Sequence, residues 1–343
     1  MAKSAVGGRP GRGALPAFRL LAPSSRGGAL VIFVLRRLLW MVPVVFFVIL
    51  ITFFLMHLAP GSPWDRGGGR QLSAAVVQNL DARYGLDKPL WQQFLLYLWS
   101  VVHFDFGLSY QYQGKTVASL LLGSWPYTVT IGVLAFAVIV TVGVSLGVIA
   151  ALRQNTRVDY VAMGFSTFGA SVPNFVVGML LIIVFGVLMY NITGGNYSLP
   201  VSGFGVDDHL IMPVVTLALL PTAFIARLTR ASTLDTLRQD YVRTAWAKGL
   251  TERLVVLRHI LKNSLIPVVT ALGPTFAILI TGSVIVETVF AIPGIGRSFV
   301  LAVSSRDYPM ILATTVLFSF VVAVANLVVD VLYVFIDPRV RLT

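Results

Sequence analysis

Residues Val31 to Leu58 form one long apolar stretch, VIFVLRRLLWMVPVVFFVILITFFLMHL. As a helix, these 28 residues would run about 42 Å, which exceeds the roughly 30 Å hydrocarbon core of a bilayer. A secretory signal peptide is the competing interpretation, but the run is too long and no A-x-A-like cleavage site follows it. The sequence therefore predicts a retained membrane-spanning helix that tilts or projects on one side.

Five further apolar runs follow the first one along the chain. They lie at about 124–151, 161–190, 210–233, 267–289 and 312–336. The chain has 343 residues, of which 57% are hydrophobic and 12% charged, with a mean hydropathy of +0.84. Charged residues are about half as frequent as in soluble proteins and could not cover the surface of a soluble fold. These observations predict an all-α membrane protein with six transmembrane helices.

The basic residues are distributed unevenly between the two sides of this topology. With the N-terminus in the cytoplasm, most of the 26 Lys and Arg residues fall on the cytoplasmic side. The outer side receives Arg66, Arg70, Arg83, Lys88, Lys115, Arg297 and Arg306. This asymmetry follows the positive-inside rule, so both termini are expected in the cytoplasm. It also accounts for the net charge of +12, and nucleic acid is not expected as a partner.

Side chains that carry out chemistry are scarce. The chain has no Cys and 4 His, and no two His lie three to five residues apart, so we expect no disulfide and no metal site. No Ser/His/Asp or paired-carboxylate pattern stands out, and we expect no catalytic residue. The nearest approach to a nucleotide-binding P-loop, SYQYQGKT from Ser109 to Thr116, has Ser where the first Gly is required. The chain is therefore expected to be no enzyme and to hold no cofactor of its own.

The connections between the spans define the organisation of the chain. Residues 1–29 are basic, contain no acidic residue and show no apolar periodicity, which predicts a disordered tail before a first transmembrane helix at 30–58. Residues 59–123 are predicted to be an extracytoplasmic segment with short amphipathic helices at about 72–83 and 89–102. Residues 124–343 then form a five-helix core that contains a cytoplasmic loop at 234–266.

This cytoplasmic loop reads LDTLRQDYVRTAWAKGLTERLVVLRHILKNSLI. Helix-forming sequence runs to Lys248, Gly249 stands where a left-handed C-terminal cap is expected, and a second helix is predicted from about Leu250. On that helix one apolar stripe is expected, made of Leu250, Leu254, Leu257 and Leu261. Periodicity alone does not decide whether this helix docks on a protein or lies on the anionic inner leaflet.

The segment QDYVRTAWAKGLTERLVVLRHILKNSLIPVVTALG, from Gln239 to Gly273, resembles the EAA segment of binding-protein-dependent ABC importer permeases. The general pattern is Glu-Ala-Ala, three residues, then Gly, and Arg243, Thr244, Ala245 and Gly249 stand at those positions. The RTA-x-AKGL form is typical of the dipeptide/oligopeptide branch, although Trp246 replaces its usual Arg. The resemblance extends from Val34 over the rest of the chain, through LAPGSP, YGLDKPLWQQF, FDFGLS, SVPNFVVGMLLIIVF, GSVIVETVFAIPGIG and NLVVDVLYVFIDPRVRL.

The resemblance implies a permease with the fold of type I ABC importers, in the cytoplasmic (inner) membrane of a bacterium or archaeon. It further implies half of a peptide pore completed by a sister permease, two partner ATPase subunits that bind ATP and Mg, and an extracytoplasmic substrate-binding protein. In such permeases the EAA segment docks on the ATPase. The corresponding coupling residues here are Arg243, Thr244, Ala245, Lys248, Gly249, Leu250 and Leu254. Alternatively, the leucines pack on helix ends of this chain itself.

Two acidic residues lie within the predicted spans, where charge is costly. Glu287 could line the outer end of the translocation path and meet the amino group of a peptide, or it could make a structural hydrogen bond to the following turn. Asp330 is expected to pair with Arg227 or Arg230.

Two alternatives to peptide import remain from the sequence. Members of the same branch carry nickel complexes, glutathione and other small solutes. A member of another class, an ATP-independent channel or secondary transporter, would show intramembrane charge pairs or an inverted repeat, and no repeat is visible.

Overall fold

Six long apolar helices dominate the computed structural model, which describes residues 26–64 and 73–336. The helices long and apolar enough to cross a membrane are Val31–Leu58, Val117–Leu152, Asn174–Ile192, Asp208–Leu237, Glu252–Val289 and Tyr308–Val331. We refer to them as spans 1 to 6. The predicted all-α architecture with six spans is thereby confirmed for the described part of the chain.

The spans and the helices between them follow one another along the chain with few long connections. The helices are α1 (Arg26–Leu58), α2 (Ala74–Tyr84), α3 (Leu90–Val102), α4 (Val117–Val138), α5 (Val144–Leu152), α6 (Arg157–Ser171), α7 (Asn174–Leu181), α8 (Met189–Ile192), α9 (Ile211–Leu237), α10 (Asp240–Ala247), α11 (Glu252–Val255), α12 (Leu261–Thr281), α13 (Val284–Val289), α14 (Ile295–Ser305) and α15 (Tyr308–Ile336). Three π-helical turns keep neighbouring helices continuous. Ile139–Gly143 joins α4 to α5, Ile182–Leu188 joins α7 to α8, and Val256–Ile260 joins α11 to α12.

The predicted start of the third span, at residue 161, is wrong. The structure divides this stretch into α6, which ends at Ser171, and span 3, which begins at Asn174. Pro173 causes the break, because proline disfavours helical geometry in the residue before it and cannot donate a backbone hydrogen bond. Val172 accordingly has extended backbone angles, φ −96° and ψ 125°.

The fifth predicted span, 267–289, ends where predicted, but its start is wrong and it contains a break. Helical structure begins far earlier, at Glu252, and passes through Pro267 without a break. α12 ends at Thr281, because Gly282 has φ +110°, a conformation that residues with a Cβ rarely adopt. The short helix α13 then carries Glu287. We call the loop between spans 4 and 5, which is predicted to be cytoplasmic, the inner loop. One nearly continuous helix therefore joins it to the opposite end of the molecule.

The first and last helices also begin earlier than predicted. α1 starts at Arg26 instead of residue 30, so four residues of the predicted tail are helical, and the rest of the tail lies outside the described residues. α15 starts at Tyr308 instead of residue 312. The carboxylate of Asp307 accepts a hydrogen bond from the backbone N–H of Met310 at 3.4 Å, which is the action of a helix N-cap.

The main core surrounds span 4, which is buried along much of its length. Gly143 and Gly147 let spans 2 and 4 approach closely. A Cβ at Gly147 would lie 2.5 Å from the carbonyl oxygen of Ala226, so no larger residue fits without moving the helices apart. The first and last helices of the chain, α1 and α15, enclose a second core together with parts of α3, α4 and α14.

The predicted amphipathic helices of the outer segment are confirmed as α2 and α3. Phe94 of α3 packs with Phe53 of α1 and Leu312 of α15 in the second core. The turn at Ser109 is tied to the start of α15, because the Ser109 hydroxyl and the Tyr110 N–H both donate to the Asp307 carboxylate. The outer segment is thus fixed to spans 1 and 6.

Candidate functional site

The loop between spans 4 and 5 is a pair of short helices joined by a tight turn. α10 is followed by Gly249, whose φ of +74° is left-handed. The Gly249 N–H donates to the Trp246 carbonyl at 2.9 Å, and the Leu250 N–H donates to the Ala245 carbonyl at 3.4 Å. These two bonds make a Schellman motif, in which glycine is favoured because a Cβ would be strained. The predicted cap at Gly249 is confirmed.

The two helices of this loop enclose a small apolar cluster made of Val242, Ala245, Val255 and Ile260. Val242, Val255 and Ile260 are fully buried, and Ala245 is 4% exposed. Ala245 therefore lets α10 and α11 approach each other. Its small side chain does not present a surface to another protein in this structure.

Most of the other predicted coupling residues face outward. Arg243, Thr244, Lys248 and Gly249 are exposed. Arg243 lies 3.7 Å from Asp240, and this ion pair is open to solvent, where such pairs contribute little to stability. The loop thus combines an apolar interior with exposed polar and charged residues.

The predicted leucine stripe does not form a single surface. Leu250 precedes α11 and is half-buried against the apolar cluster. Leu254 and Leu257 point outward, with 36% and 54% of their surface exposed. Two causes explain the difference: the helix starts at Glu252, and the π-helical turn at Val256–Ile260 shifts the register of the following residues.

Two aromatic residues outside the predicted coupling set are also exposed on this loop. Trp246 is 43% exposed and Tyr241 is 41% exposed, both on α10. The signal was present in the sequence, because Val242 and Ala245 are three residues apart and mark the inward face. We call Tyr241, Trp246, Leu254 and Leu257 the apolar patch of the inner loop.

An ion pair fixes the neighbouring inner end of span 4. Arg230 donates from Nε and Nη2 to the two carboxylate oxygens of Asp159, at 2.6 and 2.7 Å, and the Asn155 N–H donates to the same carboxylate at 3.0 Å. The Asp159 side chain is 3% exposed. The hydrogen bonds from Arg230 hold the pKa of the Asp159 carboxyl below its ordinary value, although burial opposes them.

The prediction that Asp330 pairs with Arg227 or Arg230 is wrong. Asp330 lies 3.0 Å from Arg37 of span 1, whereas Arg230 is engaged by Asp159 and Arg227 donates to the Ser166 carbonyl at 3.4 Å. The sequence could not show that span 1 packs beside span 6, which decides this pairing. Asp330 therefore joins the first and last spans.

Glu287 is buried in the interior of the protein, with 3% of its surface exposed. Its carboxylate accepts hydrogen bonds from the Thr128 hydroxyl and from the Arg297 N–H, both at 2.9 Å. A Cβ at Gly294 would lie 2.4 Å from the Glu287 carboxyl carbon, so the turn after α13 closes around this side chain. These contacts correspond to the structural hydrogen bond considered for Glu287, and its role in the translocation path stays a prediction.

No three His, Asp or Glu side chains among the described residues come together in a way that could hold a metal ion. The P-loop-like segment forms a turn closed by a bridge between Leu108 and Thr116, and its Ser109 hydroxyl is bound to Asp307.

Two family models match the chain. The model described as "Binding-protein-dependent transport system inner membrane component" matches residues 143–342, and that described as "Binding-prot-dependent transport system membrane comp, N-term" matches residues 30–132. The chain belongs to this family of membrane permeases. It is a multi-pass membrane protein. Members of its family are membrane permease subunits that are not themselves catalytic.

Relatives of this permease are similar over almost their whole length. The chain is 43% identical over 309 residues to the oligopeptide transport system permease protein OppB of Salmonella typhimurium, which covers 90% of this chain and 99% of that protein. It is 40% identical over 310 residues to the dipeptide transport system permease protein DppB of Bacillus subtilis, with 90% and 98% covered.

A solved structure shows the same permease fold. A chain of the MetNI methionine ABC transporter, in an inward-facing conformation, superposes with a TM-score of 0.51 and 18% sequence identity. The match covers 64% of this chain and 96% of that chain. At this identity the likeness concerns the fold alone, and it confirms the predicted ABC importer permease fold.

Proposed function

We propose that this permease is the pore subunit of an ATP-driven importer of dipeptides or oligopeptides. The observation that carries the proposal is its 43% and 40% identity to oligopeptide and dipeptide permeases over 90% of the chain. No observation favours nickel complexes or glutathione over peptides.

The proposed assembly contains four further subunits beside this one. A sister permease completes the pore, two ATP-binding subunits hold ATP and Mg, and an extracytoplasmic binding protein delivers the cargo. A pore cannot import a solute against its gradient without coupled energy, so hydrolysis in the ATP-binding subunits is required. This chain contributes the path and the connection to those subunits.

We infer that the inner loop is the surface that docks on an ATP-binding subunit. The loop exposes the apolar patch and also Arg243, Thr244, Lys248 and Gly249. Exposed apolar side chains on a loop between spans favour contact with another protein, because contact removes their surface from water. Ala245 and Leu250 support this surface from behind by packing α10 against α11.

The geometry of the loop is suited to transmit a movement into the membrane. α11, the π-helical turn and α12 form one helix from Glu252 to Thr281, about 45 Å long at 1.5 Å per residue. A displacement of the docked loop would therefore reach Gly282, where the helix ends. Because the Schellman turn at Gly249 fixes the angle between α10 and α11, the two helices would move as a unit.

The proposed orientation places both termini and the inner loop in the cytoplasm. It is supported by the excess of Lys and Arg on that side of the six spans. The membrane would then be the cytoplasmic membrane of a bacterium or archaeon, and the segment between spans 1 and 2 would face the binding protein.

Reconstitution tests the proposed function. The complete importer, purified with its partner subunits, is placed in liposomes together with saturating binding protein, and uptake of labelled trialanine is measured with and without ATP. We expect uptake that requires ATP and both ATP-binding subunits. The matched control is the same assembly with a hydrolysis-deficient ATP-binding subunit.

Two results would contradict the proposal in different ways. Uptake by this chain alone, without partner subunits, would identify an ATP-independent channel or secondary transporter. ATP-dependent uptake of glutathione or a nickel complex, with none of trialanine or longer peptides, would keep the permease function and exclude peptides as cargo.

A further inference from the structure

A groove that contains two basic side chains lies at the outer ends of α4 and α14. It consists of two adjoining cavities of about 520 and 480 Å³, which share Leu120, Ser124 and Pro293 in their walls. The first cavity is lined by Lys115 and the second by Arg297. The groove lies on the same side of the six spans as the outer segment.

The two basic side chains of this groove have no counter-charge among the described residues. Neither makes an ion pair or a side-chain hydrogen bond with another described residue. Lys115 is exposed, but Arg297 is half-buried. A cation without a counter-charge at the wall of a cavity favours an anion there, because the two charges attract each other at close range.

Buried carboxylates hold both walls of the groove in place. Glu287 accepts the Arg297 N–H at 2.9 Å, and the Ile295 N–H donates to the Thr128 hydroxyl at 2.9 Å, which fixes the first turn of α14. Asp307 lines the second cavity, but it is fully buried and accepts bonds from Ser109 and Tyr110. The acids therefore position the walls, and the cations are the charged groups that a ligand can reach.

We propose that this groove binds the C-terminal carboxylate of the transported peptide, with Arg297 as the principal partner and Lys115 as the second. The inference rests on the proposed peptide transport. The carboxylate is the anionic group that every unmodified linear peptide carries, whatever its sequence, so it allows recognition without selection among side chains. The hydroxyls of Ser124 and Ser298, whose oxygens lie 3.4 Å apart, provide additional donors.

The first test compares trialanine with trialanine amide in the reconstituted importer. Each cargo is supplied at a concentration that saturates the binding protein, checked by calorimetry. The wild type should transport the acid about ten-fold faster than the amide, which is the scale of one hydrogen bond to a charged group. Arg297→Gln should bring the ratio near one, Arg297→Lys should retain part of it, and Lys115→Gln should reduce it less. Arg83→Gln is the matched control, because Arg83 is an outer cation that lines a different cavity.

The second test reports occupancy of the groove directly and does not rely on the rate of uptake. Because the chain has no Cys, Ser298→Cys introduces a single reactive thiol into the groove. In the complete importer, trialanine should slow alkylation of this thiol and the amide should not, and adding Arg297→Gln should remove the protection. Equal protection by acid and amide, or protection that survives Arg297→Gln, would overturn the proposal.

Anionic lipid is the other source of an anionic group. If the effect of Arg297→Gln requires phosphatidylglycerol in the liposomes and is the same for acid and amide, the groove binds lipid phosphate and the proposal is overturned. An unchanged acid-to-amide ratio in Arg297→Gln, with normal peptide uptake, would overturn the carboxylate site and leave the peptide importer intact. Absence of any peptide uptake by the wild type would instead contradict the proposed function itself.

Discussion

The inner loop and the outer groove bury and expose opposite kinds of groups. The inner loop buries small and apolar residues such as Ala245 and Val255, and it exposes larger apolar ones such as Trp246 and Leu257. The outer groove is held by the buried carboxylates of Glu287 and Asp307 and presents basic side chains. The difference supports the two partners proposed above, a protein surface at the inner loop and a charged solute at the outer groove.

The largest expected effect comes from breaking the ion pair between Asp159 and Arg230 beside the inner loop. Asp159→Asn removes the charge that pairs with Arg230, whose side chain is 25% exposed. We expect a loss of about 3 kcal/mol in stability, because the guanidinium keeps its charge in a largely buried site. The measurement is thermal unfolding of the purified complex in detergent.

Acid provides the control for Asp159→Asn. The folded-state pKa of Asp159 is lowered. The ion pair therefore contributes its full stability above the ordinary pKa near 4, and this stability is lost as the pH falls through the folded-state pKa. The difference between the wild type and Asp159→Asn should therefore narrow below about pH 4. A difference that stays constant with pH would contradict the role given to this ion pair.

The next largest effect concerns Glu287, which holds the wall of the outer groove. Glu287→Gln keeps the volume of the side chain but removes its charge and replaces one acceptor oxygen by a donor, so the hydrogen bonds donated by the Thr128 hydroxyl and the Arg297 N–H cannot both be kept. We expect a loss of about 2 kcal/mol in stability. Uptake, normalised to the amount of folded complex, should change little. Collapse of uptake with unchanged stability would show instead that Glu287 meets the cargo.

A smaller effect is expected at the turn between the two inner helices. Gly249→Ala places a Cβ at φ +74°, where nothing lies within 4 Å but the backbone conformation is strained. We expect a cost of about 1 kcal/mol and weaker coupling of ATP hydrolysis to uptake. Gly164→Ala is the matched control, because Gly164 lies within α6 and its Cβ would also meet nothing. Equal effects of the two substitutions would contradict the importance of the turn.

The smallest effect on stability is expected for the apolar patch itself. Leu257→Ala should change the stability of this permease by less than about 0.5 kcal/mol, because the side chain is 54% exposed. It should nevertheless weaken co-purification of the ATP-binding subunits. Val255→Ala is the contrasting variant, since Val255 is fully buried and its truncation should destabilise the loop. A loss of stability in Leu257→Ala would mean that the leucine packs within this chain.

The number of spans could be predicted from composition because each one is a long apolar run. The break at Pro173 follows from the local chemistry of proline and is therefore predictable from the sequence. The pairing of Asp330 with Arg37 was beyond the sequence, because it depends on span 1 packing against span 6. Contacts between distant segments, unlike turns, leave no periodic signal in the chain.

The candidate sites were predictable to different degrees. The turn at Gly249 could be predicted because a left-handed cap favours glycine. The leucine stripe was misplaced because its register depends on where α11 begins and on the π-helical turn that follows. Arg297 was seen only as an outer cation, since its place in the groove depends on the contact between Glu287 and its backbone.

Cross-linking of the inner loop tests the central claim most directly. Because the chain has no Cys, Lys248→Cys and Leu257→Cys each provide one thiol, to be paired with single cysteines in the cleft of a cysteine-free ATP-binding subunit. Gln154→Cys is the control, because Gln154 is exposed on the loop between spans 2 and 3, on the same side of the spans. We predict disulfides for Lys248→Cys and Leu257→Cys and none for Gln154→Cys. Absence of a disulfide at every tested pair, with the loop thiols protected by lipid headgroups, would contradict the account.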